Sequence, residues 1–334
     1  MKFSNNTSGH TVGIPYENWH GKPYYSLDAY CKNTYGEKLY KVALNAGLTC
    51  PNRDGTSGTG GCIFCSAGGS GDFAASITDT ASAFDQAFLQ SKNSLSGKKT
   101  GRKFIAYFQA YTNTYGPVSY LEKIYRLALN EPSVAGISIA TRPDCLPDDV
   151  MALLVRLKKE YAPKFIWLEL GLQTIFESSA AFIRRGYSLS CFEEAVYMLK
   201  EIGIPVITHM ILGLPHETKE ALISSMEYLN QKPIWGVKLQ LLHILKGTDL
   251  GSLYEKDPFL YGSFQTLTLY LDTLIPCLEH LRPDMVIHRV TGDAPKKLLL
   301  APYWSSNKRL VLNTLHGQMK KRGSFQGKQW KAAP

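Results

Sequence analysis

An α/β fold built on a parallel sheet is what the sequence predicts, on three observations. Short apolar runs recur at 39–46, 103–109, 135–140, 165–171, 204–212 and 236–243. They are almost wholly apolar and bounded by Gly or Pro, the pattern of strands covered on both faces. Helix-like stretches separate the later runs at 118–130, 147–160, 174–184, 190–202 and 217–231. Alternation of this kind builds a parallel sheet, either open or rolled into a barrel. Polar and glycine residues also collect after successive strands, where a barrel carries its active face.

Residues 1–38 are polar but rich in Tyr and Trp (Tyr16, Trp19, Tyr24, Tyr25, Tyr30, Tyr35), and read as an extension packed on the domain. The first strand, 39–46, opens into a Gly-, Ser- and Thr-rich loop over 47–72. A helix at 76–93 and a polar, basic turn at 94–102 lead to the second strand. Strands and helices then alternate to about residue 250, and a helix at 264–281 precedes a seventh strand at 284–290. With no internal repeat or long linker, the chain divides into an N-terminal extension (1–38), a catalytic domain (39–250) and a C-terminal extension (251–334).

A chain of 334 residues with 44% hydrophobic and 19% charged residues suits a globular protein with a sizeable core. No run of ~18 apolar residues is present, so no spanning helix is expected. Met1 to His10 has no apolar signal core. A cytoplasmic protein without a membrane partner is the expectation. The net charge of +9 is unevenly placed. Residues 296–334 hold nine Lys or Arg and no Asp or Glu, interleaved with Tyr303, Trp304, Phe325 and Trp330, while the rest of the chain is balanced. Lys and Arg attract phosphates and aromatic rings stack on unpaired bases, so this segment reads as an RNA-binding tail. A solvated tail carrying a few core aromatics is the plainer alternative.

Of seven cysteines, Cys31, Cys145, Cys191 and Cys277 are isolated and read as small buried hydrophobes. Cys50, Cys62 and Cys65 share the loop after the first strand, spaced C-x11-C-x2-C, with Phe64 before the last. Three thiolates leave one position of a four-metal cluster, or of a tetrahedral ion, open to a small molecule. Further candidates follow the other strands: Gln109, Thr112 and Asn113; Arg142 and Asp144; Glu169 and Gln173; Arg184 and Arg185; His209, His216 and Glu217; and Lys246. Several have ordinary structural readings too. Glu169 would serve as a core-edge carboxylate, His209 as a satisfied core histidine, and His216 and Glu217 as caps of the next helix.

The cysteine loop resembles the signature of radical S-adenosylmethionine (SAM) enzymes, although the usual spacing there is C-x3-C-x2-C. Thr141-Arg-Pro-Asp144, Glu169-Leu-Gly-Leu-Gln173, Arg185-Gly186 and His209-Met-Ile-Leu-Gly-Leu-Pro215 are similar to segments of the radical domain of the elongator catalytic subunit, which modifies wobble uridine in tRNA. Cys50-Pro-Asn-Arg-Asp-Gly55 and His288-Arg-Val-Thr-Gly-Asp-Ala-Pro295 resemble a smaller bacterial group, the YhcC/YtqA-like proteins. The resemblance implies a partial (β/α)6 TIM-like barrel of the radical SAM type. It implies a [4Fe-4S] cluster on Cys50, Cys62 and Cys65, with S-adenosyl-L-methionine on the open iron, cleaved reductively to methionine and a hydrogen-abstracting 5′-deoxyadenosyl radical. Gln109, Thr112, Asn113, Arg142, Glu169, Gln173, Arg185 and His209 would hold the cofactor. Glu169, Arg185 and Lys246 would also serve the reaction, with Lys246 or Arg142 taking a substrate carboxylate. The implied partners are tRNA, an electron donor such as flavodoxin or ferredoxin, and a downstream methyltransferase. The implied reaction takes 5-carboxymethylaminomethyl-uridine to 5-aminomethyl-uridine.

Two other functions stay open at this point. One is a radical SAM enzyme acting on a small metabolite or tetrapyrrole. The other is a non-enzymatic zinc-and-RNA-binding module, with His20 or Cys31 as fourth zinc ligand. A methylthiotransferase would want a second cysteine cluster, which the sequence lacks.

Overall fold

The apolar runs form the strands of one sheet. The structure, a computed structural model, describes residues 16–69, 71–95, 97, 101–262 and 264–332. Met1 to His10, part of the basic turn at 94–102 and the last two residues of the tail lie outside them. Helix α1 (Leu27–Tyr35) precedes β1 (Tyr40–Asn45), β2 (Ala75–Ser76), α2 (Ala81–Asn93) and β3 (Phe104–Phe108). Then come α3 (Val118–Asn130), β4 (Val134–Thr141), α4 (Asp148–Glu160), β5 (Phe165–Gln173), α5 (Glu177–Phe182), α6 (Leu189–Glu201) and β6 (Val206–Leu212). Helix α7 (Lys219–Asn230), β7 (Gly236–Leu241), β8 (Ile244–Leu245), α8 (Asp249–Lys256), α9 (Pro258–Tyr261) and α10 (Leu267–His280) follow. The chain ends through β9 (Val286–Arg289), β10 (Leu299–Ala301) and α11 (Lys308–Lys321).

Eight strands form one sheet in the order β2-β1-β3-β4-β5-β6-β7-β9, and every pairing in it is parallel. The six expected strands are its centre. The seventh forms as β9, and two residues after the cysteine loop add β2 at the other edge. Among the described residues no hydrogen-bonded pairing joins the two edges, so the barrel is open. It is nonetheless strongly curved. Tyr107 on β3 meets Lys238 on β7 at 3.0 Å, although four strand steps in a flat sheet would separate them by roughly 19 Å.

Curvature gives the strands an inner and an outer face, alternating with period two. Outward residues such as Ala106, Ile137, Leu168 and Val206 pack against helices in the main core. Inward residues form layers. The lowest is apolar and aromatic: Leu39, Ile105, Trp167 and Ile207 pack with Cys31 of α1, and the Trp167 ring lies 3.9 Å from Phe165 and 4.6 Å from Trp235. The next layer, one alternation up each strand, is polar. The cysteine loop covers the mouth above it.

The described residues of the N-terminal stretch, from Tyr16 onward, pack on the sheet: Trp19 is buried and Ser26 bridges β9 at Ile287. Three local expectations change. The helix at 76–93 starts only at Ala81, because Ala75 and Ser76 are drawn into the sheet and Thr80 caps the helix through Ala83 N–H. The helix at 174–184 shrinks to Glu177–Phe182, because Gln173 has a left-handed φ of 63° and the Thr174 hydroxyl binds Phe176 N–H at 3.1 Å. The basic tail is a folded element, since α11 buries Val311, Leu315 and Met319. Among the described residues no helix is long and apolar enough to cross a membrane.

Candidate active site in the cysteine-lined cavity

Cys50, Cys62 and Cys65 all line one cavity at the barrel mouth. Short turns hold their loop. The Cys50 carbonyl accepts from Arg53 N–H at 2.8 Å, and the Cys62 carbonyl from Cys65 N–H at 3.0 Å. Gly61 has a φ of 82°, and a Cβ there would lie 2.9 Å from Arg53 Nε, so a close approach and a left-handed backbone both select glycine. Arg53 ties the loop from inside, donating to the carbonyls of Cys65 at 3.1 Å and Ser66 at 2.7 Å. Asn52 joins it to the turn after α5, donating to the Arg184 carbonyl at 2.6 Å, with its amide 3.6 Å from Cys62 Sγ.

Burial, reinforced by neighbouring Cys65 and Cys50, pushes the Cys62 thiol up to about 11. Closely set thiols resist ionising together, and a bound metal reverses that by replacing the protons. Arg142 adds positive charge, its guanidinium lying 3.9 Å from Cys50 Sγ. Among the described residues no three His, Cys, Asp or Glu side chains are grouped as ligands of a single ion. The thiolates of a four-iron cluster bind separate irons around a shared space, and three soft donors on one cavity suit that demand. His20 and Cys31, the fourth ligands a zinc site would need, lie elsewhere. His20 binds Asn33 at 2.7 Å, and Cys31 is buried in the apolar layer.

Below the loop lies the polar layer. Glu169 of β5 is fully buried. Its Oε1 accepts from Lys41 of β1 and from Ser138 Oγ of β4 at 2.5 Å, and its Oε2 accepts from Lys238 of β7 and lies 2.7 Å from His209 Nε2 of β6. Tyr107 lies under both amines, 4.4 Å from Lys41 and 4.5 Å from Lys238 at its ring centre. Burial alone would raise the Glu169 carboxyl, but Lys238 and Lys41 outweigh it and hold the group well below the usual range. Burial lowers both lysines, against the pull of Glu169. Burial and the Lys238 charge lower His209 to about 4, so it is neutral at pH 7.

The structure brings most sequence candidates together. Gln109, Thr112, Arg142, Glu169, Gln173, Arg185 and His209 all line the cavity with the cysteines. Asn113 and Lys246 do not. Asn113 is fully buried behind it, its amide spanning the carbonyls of Ala110 and Ala140 at 3.0 Å each. Lys246 is exposed on the loop that leads into α8. Arg142 is paired with Asp144 at 2.6 Å. Arg185, also buried, donates to the carbonyls of Tyr187, Leu172 and Thr174 at 2.9, 3.2 and 2.7 Å, which fastens the turn after α5. Glu217 does not cap α7. Thr218 does so through Ala221 N–H, while Glu217 accepts from Thr174 at 2.5 Å and His216 is exposed. Left-handed φ values at Ala110, Tyr111 and Gln173 fall at strand ends that line the cavity, where functional sites concentrate backbone strain.

Lys41, Tyr107 and Lys238 were not among the sequence candidates, and Arg289 and Asp293 stood there only within the segment His288–Pro295. The available signal was the single charged residue in each of the strands Tyr40–Asn45 and Gly236–Leu241. Lysine is almost never buried without a partner.

Comparison with known proteins agrees with this geometry. Residues 52–229 match the radical SAM superfamily model and residues 234–321 the radical SAM C-terminal domain model. The chain is 42% identical over 315 residues to the protein YtqA of Bacillus subtilis, covering 94% of this chain and 95% of that one. It is 32% identical over 299 residues to the protein YhcC of Escherichia coli, covering 89% and 93%. Elongator complex protein 3 of Schizosaccharomyces pombe is 27% identical over 192 residues, 56% of this chain and 33% of that one. In fold the chain is similar to the archaeal Elp3 of Methanocaldococcus infernus, with a TM-score of 0.61 over 86% of this chain and 64% of that one, at 15% identity. The cofactors of such a site are a [4Fe-4S] cluster, which Cys50, Cys62 and Cys65 would hold, and S-adenosyl-L-methionine. With thiols, curved parallel sheet and sequence in agreement, the chain belongs to the radical SAM superfamily.

Proposed function

We propose that this radical SAM enzyme modifies tRNA at the C5 side chain of wobble uridine, taking 5-carboxymethylaminomethyl-uridine to 5-aminomethyl-uridine. The carboxymethyl carbons would leave as a two-carbon oxo acid, with water supplying the oxygen and S-adenosyl-L-methionine, cleaved to methionine and 5′-deoxyadenosine, taking up the two electrons. The carrying observation is the cationic layer beneath the cysteine loop, which suits a substrate with an acidic group. The similarity to elongator complex protein 3 across 56% of the chain supports an RNA substrate. When bound, the cluster and S-adenosyl-L-methionine supply a hydrogen-abstracting radical, which attacks unactivated carbon. The chain's own residues enclose and orient. Gln109, Thr112, Gln173 and Arg142, on the cavity wall, would hold S-adenosyl-L-methionine. Glu169 and Arg185 would act one step back, Glu169 by fixing the lysines and Arg185 by fixing the turn. A curved sheet closed below by Trp167 keeps water from a reactive carbon centre. Exposed cations at Lys296, Lys297, Arg309, Lys320 and Lys321 would meet the RNA backbone. The working partners would be a cytoplasmic tRNA, a flavodoxin or ferredoxin as electron donor, and a methyltransferase that uses the amine.

The test has two parts. Reconstituted anaerobically and reduced, the enzyme should release 5′-deoxyadenosine, and Cys62→Ala should abolish the release. Nucleosides of tRNA from a strain lacking the gene should then accumulate 5-carboxymethylaminomethyl-uridine. An unchanged nucleoside profile would retire the tRNA substrate in favour of a small acidic metabolite.

A further inference from the structure

Lys238 and Arg289 are register partners on the adjacent parallel strands β7 and β9. Paired positions project from the same face of a sheet, and both residues line the cavity below the cysteine loop. The carboxylates beside them are already engaged. Glu169 is held by Lys41 as well as by Lys238. Asp293, 2.9 Å from Arg289, also pairs with Lys308 at 3.0 Å. His209 brings no negative charge, and the Tyr107 hydroxyl is neutral. Lys41, Lys238 and Arg289 therefore share one private carboxylate and one divided carboxylate. A buried cation is costly unless a counter-charge meets it. Arg289 keeps 32% of its side chain exposed, so this end of the cluster is open to an incoming group.

We propose that Lys238 and Arg289 form a carboxylate anchor that selects substrates carrying an acidic side chain. A carboxylate completes the local charge, and its two oxygens match the fork of a guanidinium. The anchor places the acidic end of the substrate deep in the barrel, with the adjoining carbon between it and the cysteines. Which carboxylate it takes, that of the modified uridine, rests on the tRNA substrate proposed above.

The test compares tRNA carrying 5-carboxymethylaminomethyl-uridine with the same tRNA as its methyl ester, which removes the charge. Wild type should show a KM lower for the acid by about tenfold to a hundredfold, the worth of a charge-assisted hydrogen bond. Arg289→Met should close most of that gap by raising the KM for the acid, and Arg289→Lys should restore part of it. Acid and ester turned over alike by wild type would retire the anchor while leaving the tRNA substrate standing. A second arm needs no turnover: N-methylglycine is titrated calorimetrically into the full-length protein. Binding that Arg289→Met weakens upholds the anchor even where tRNA proves inert, an outcome that would retire only the tRNA substrate. No binding, or binding that the variant leaves unchanged, overturns the anchor. So does inorganic phosphate binding more tightly than N-methylglycine with the same dependence on Arg289, which would assign the site to an RNA phosphate.

Discussion

Glu169 holds together side chains from five strands: Lys41, Tyr107, Ser138, His209 and Lys238 meet on or beside one carboxylate. Replacing it with the neutral Glu169→Gln leaves the buried Lys238 ammonium and the half-buried Lys41 ammonium without a counter-charge. The expected loss is about 3–5 kcal/mol of stability, measured by denaturant unfolding. Glu169→Gln with Lys238→Met should recover part of it, because the second change removes one of the stranded charges. His209 gives a pH signature. Its folded pKa of about 4 lies below the ordinary 6.5. Between those values the unfolded chain binds the extra proton, so stability rises with pH through that window and falls on acidification from 6.5 towards 4. The contribution is roughly 2–4 kcal/mol, and His209→Gln should flatten the slope in melts taken across this range. Glu169, its folded pKa depressed, adds stability that is present above its unfolded value and lost at lower pH still. At this scale the sequence was partly legible. Cys50, Cys62, Cys65 and Arg142 could be found from spacing and from their place after a strand. Lys41 and Lys238 could not, because a lysine in a strand reads equally well as an edge residue reaching solvent.

Among the elements, α11 departs furthest from expectation. Its basic composition hides an apolar stripe of Val311, Leu315 and Met319, and the residues beyond it are also docked. Gln326 is fully buried, accepting from Tyr25 N–H at 2.9 Å and donating to the carbonyls of Arg282 and Met285 at 2.8 Å each. Truncation after Asn307 should therefore give insoluble or molten protein rather than a folded enzyme lacking RNA affinity, as solubility and near-ultraviolet circular dichroism would report. A folded truncated protein with intact S-adenosyl-L-methionine cleavage would contradict this. Helix α8 is tied to the site itself, since Leu250 N–H donates to the Ile63 carbonyl inside the cysteine loop at 2.9 Å. Its cap, Thr248, accepts from Gly251 N–H at 3.0 Å. Thr248→Ala should cost about 1 kcal/mol in thermal unfolding and loosen the loop. Strand and helix positions were well read from period and length, with α3 falling on the expected residues and β5 extended to Gln173. The two-residue strands β2 and β8 are too short to leave a period.

For the whole molecule, the distribution of charge sets how RNA would be met. Lys320 and Lys321 end α11 on its exposed side, and Lys328 follows in the docked segment beyond. Reversing these three to Glu should weaken tRNA binding and lower the slope of log affinity against log salt by roughly two to three. S-adenosyl-L-methionine cleavage without tRNA should stay as it was. Binding measured at several salt concentrations checks both. What the sequence by itself determined was the order of the main strands and helices and the grouping of three cysteines in one loop, because periodicity and cysteine spacing are local properties of the chain. The tertiary structure alone decided that β3 faces β7 across an open barrel, that two lysines converge on Glu169, and that a basic segment is also a core helix. The first two depend on the curvature of the eight-stranded sheet and the third on packing against α10, and neither is written in a single stretch of residues.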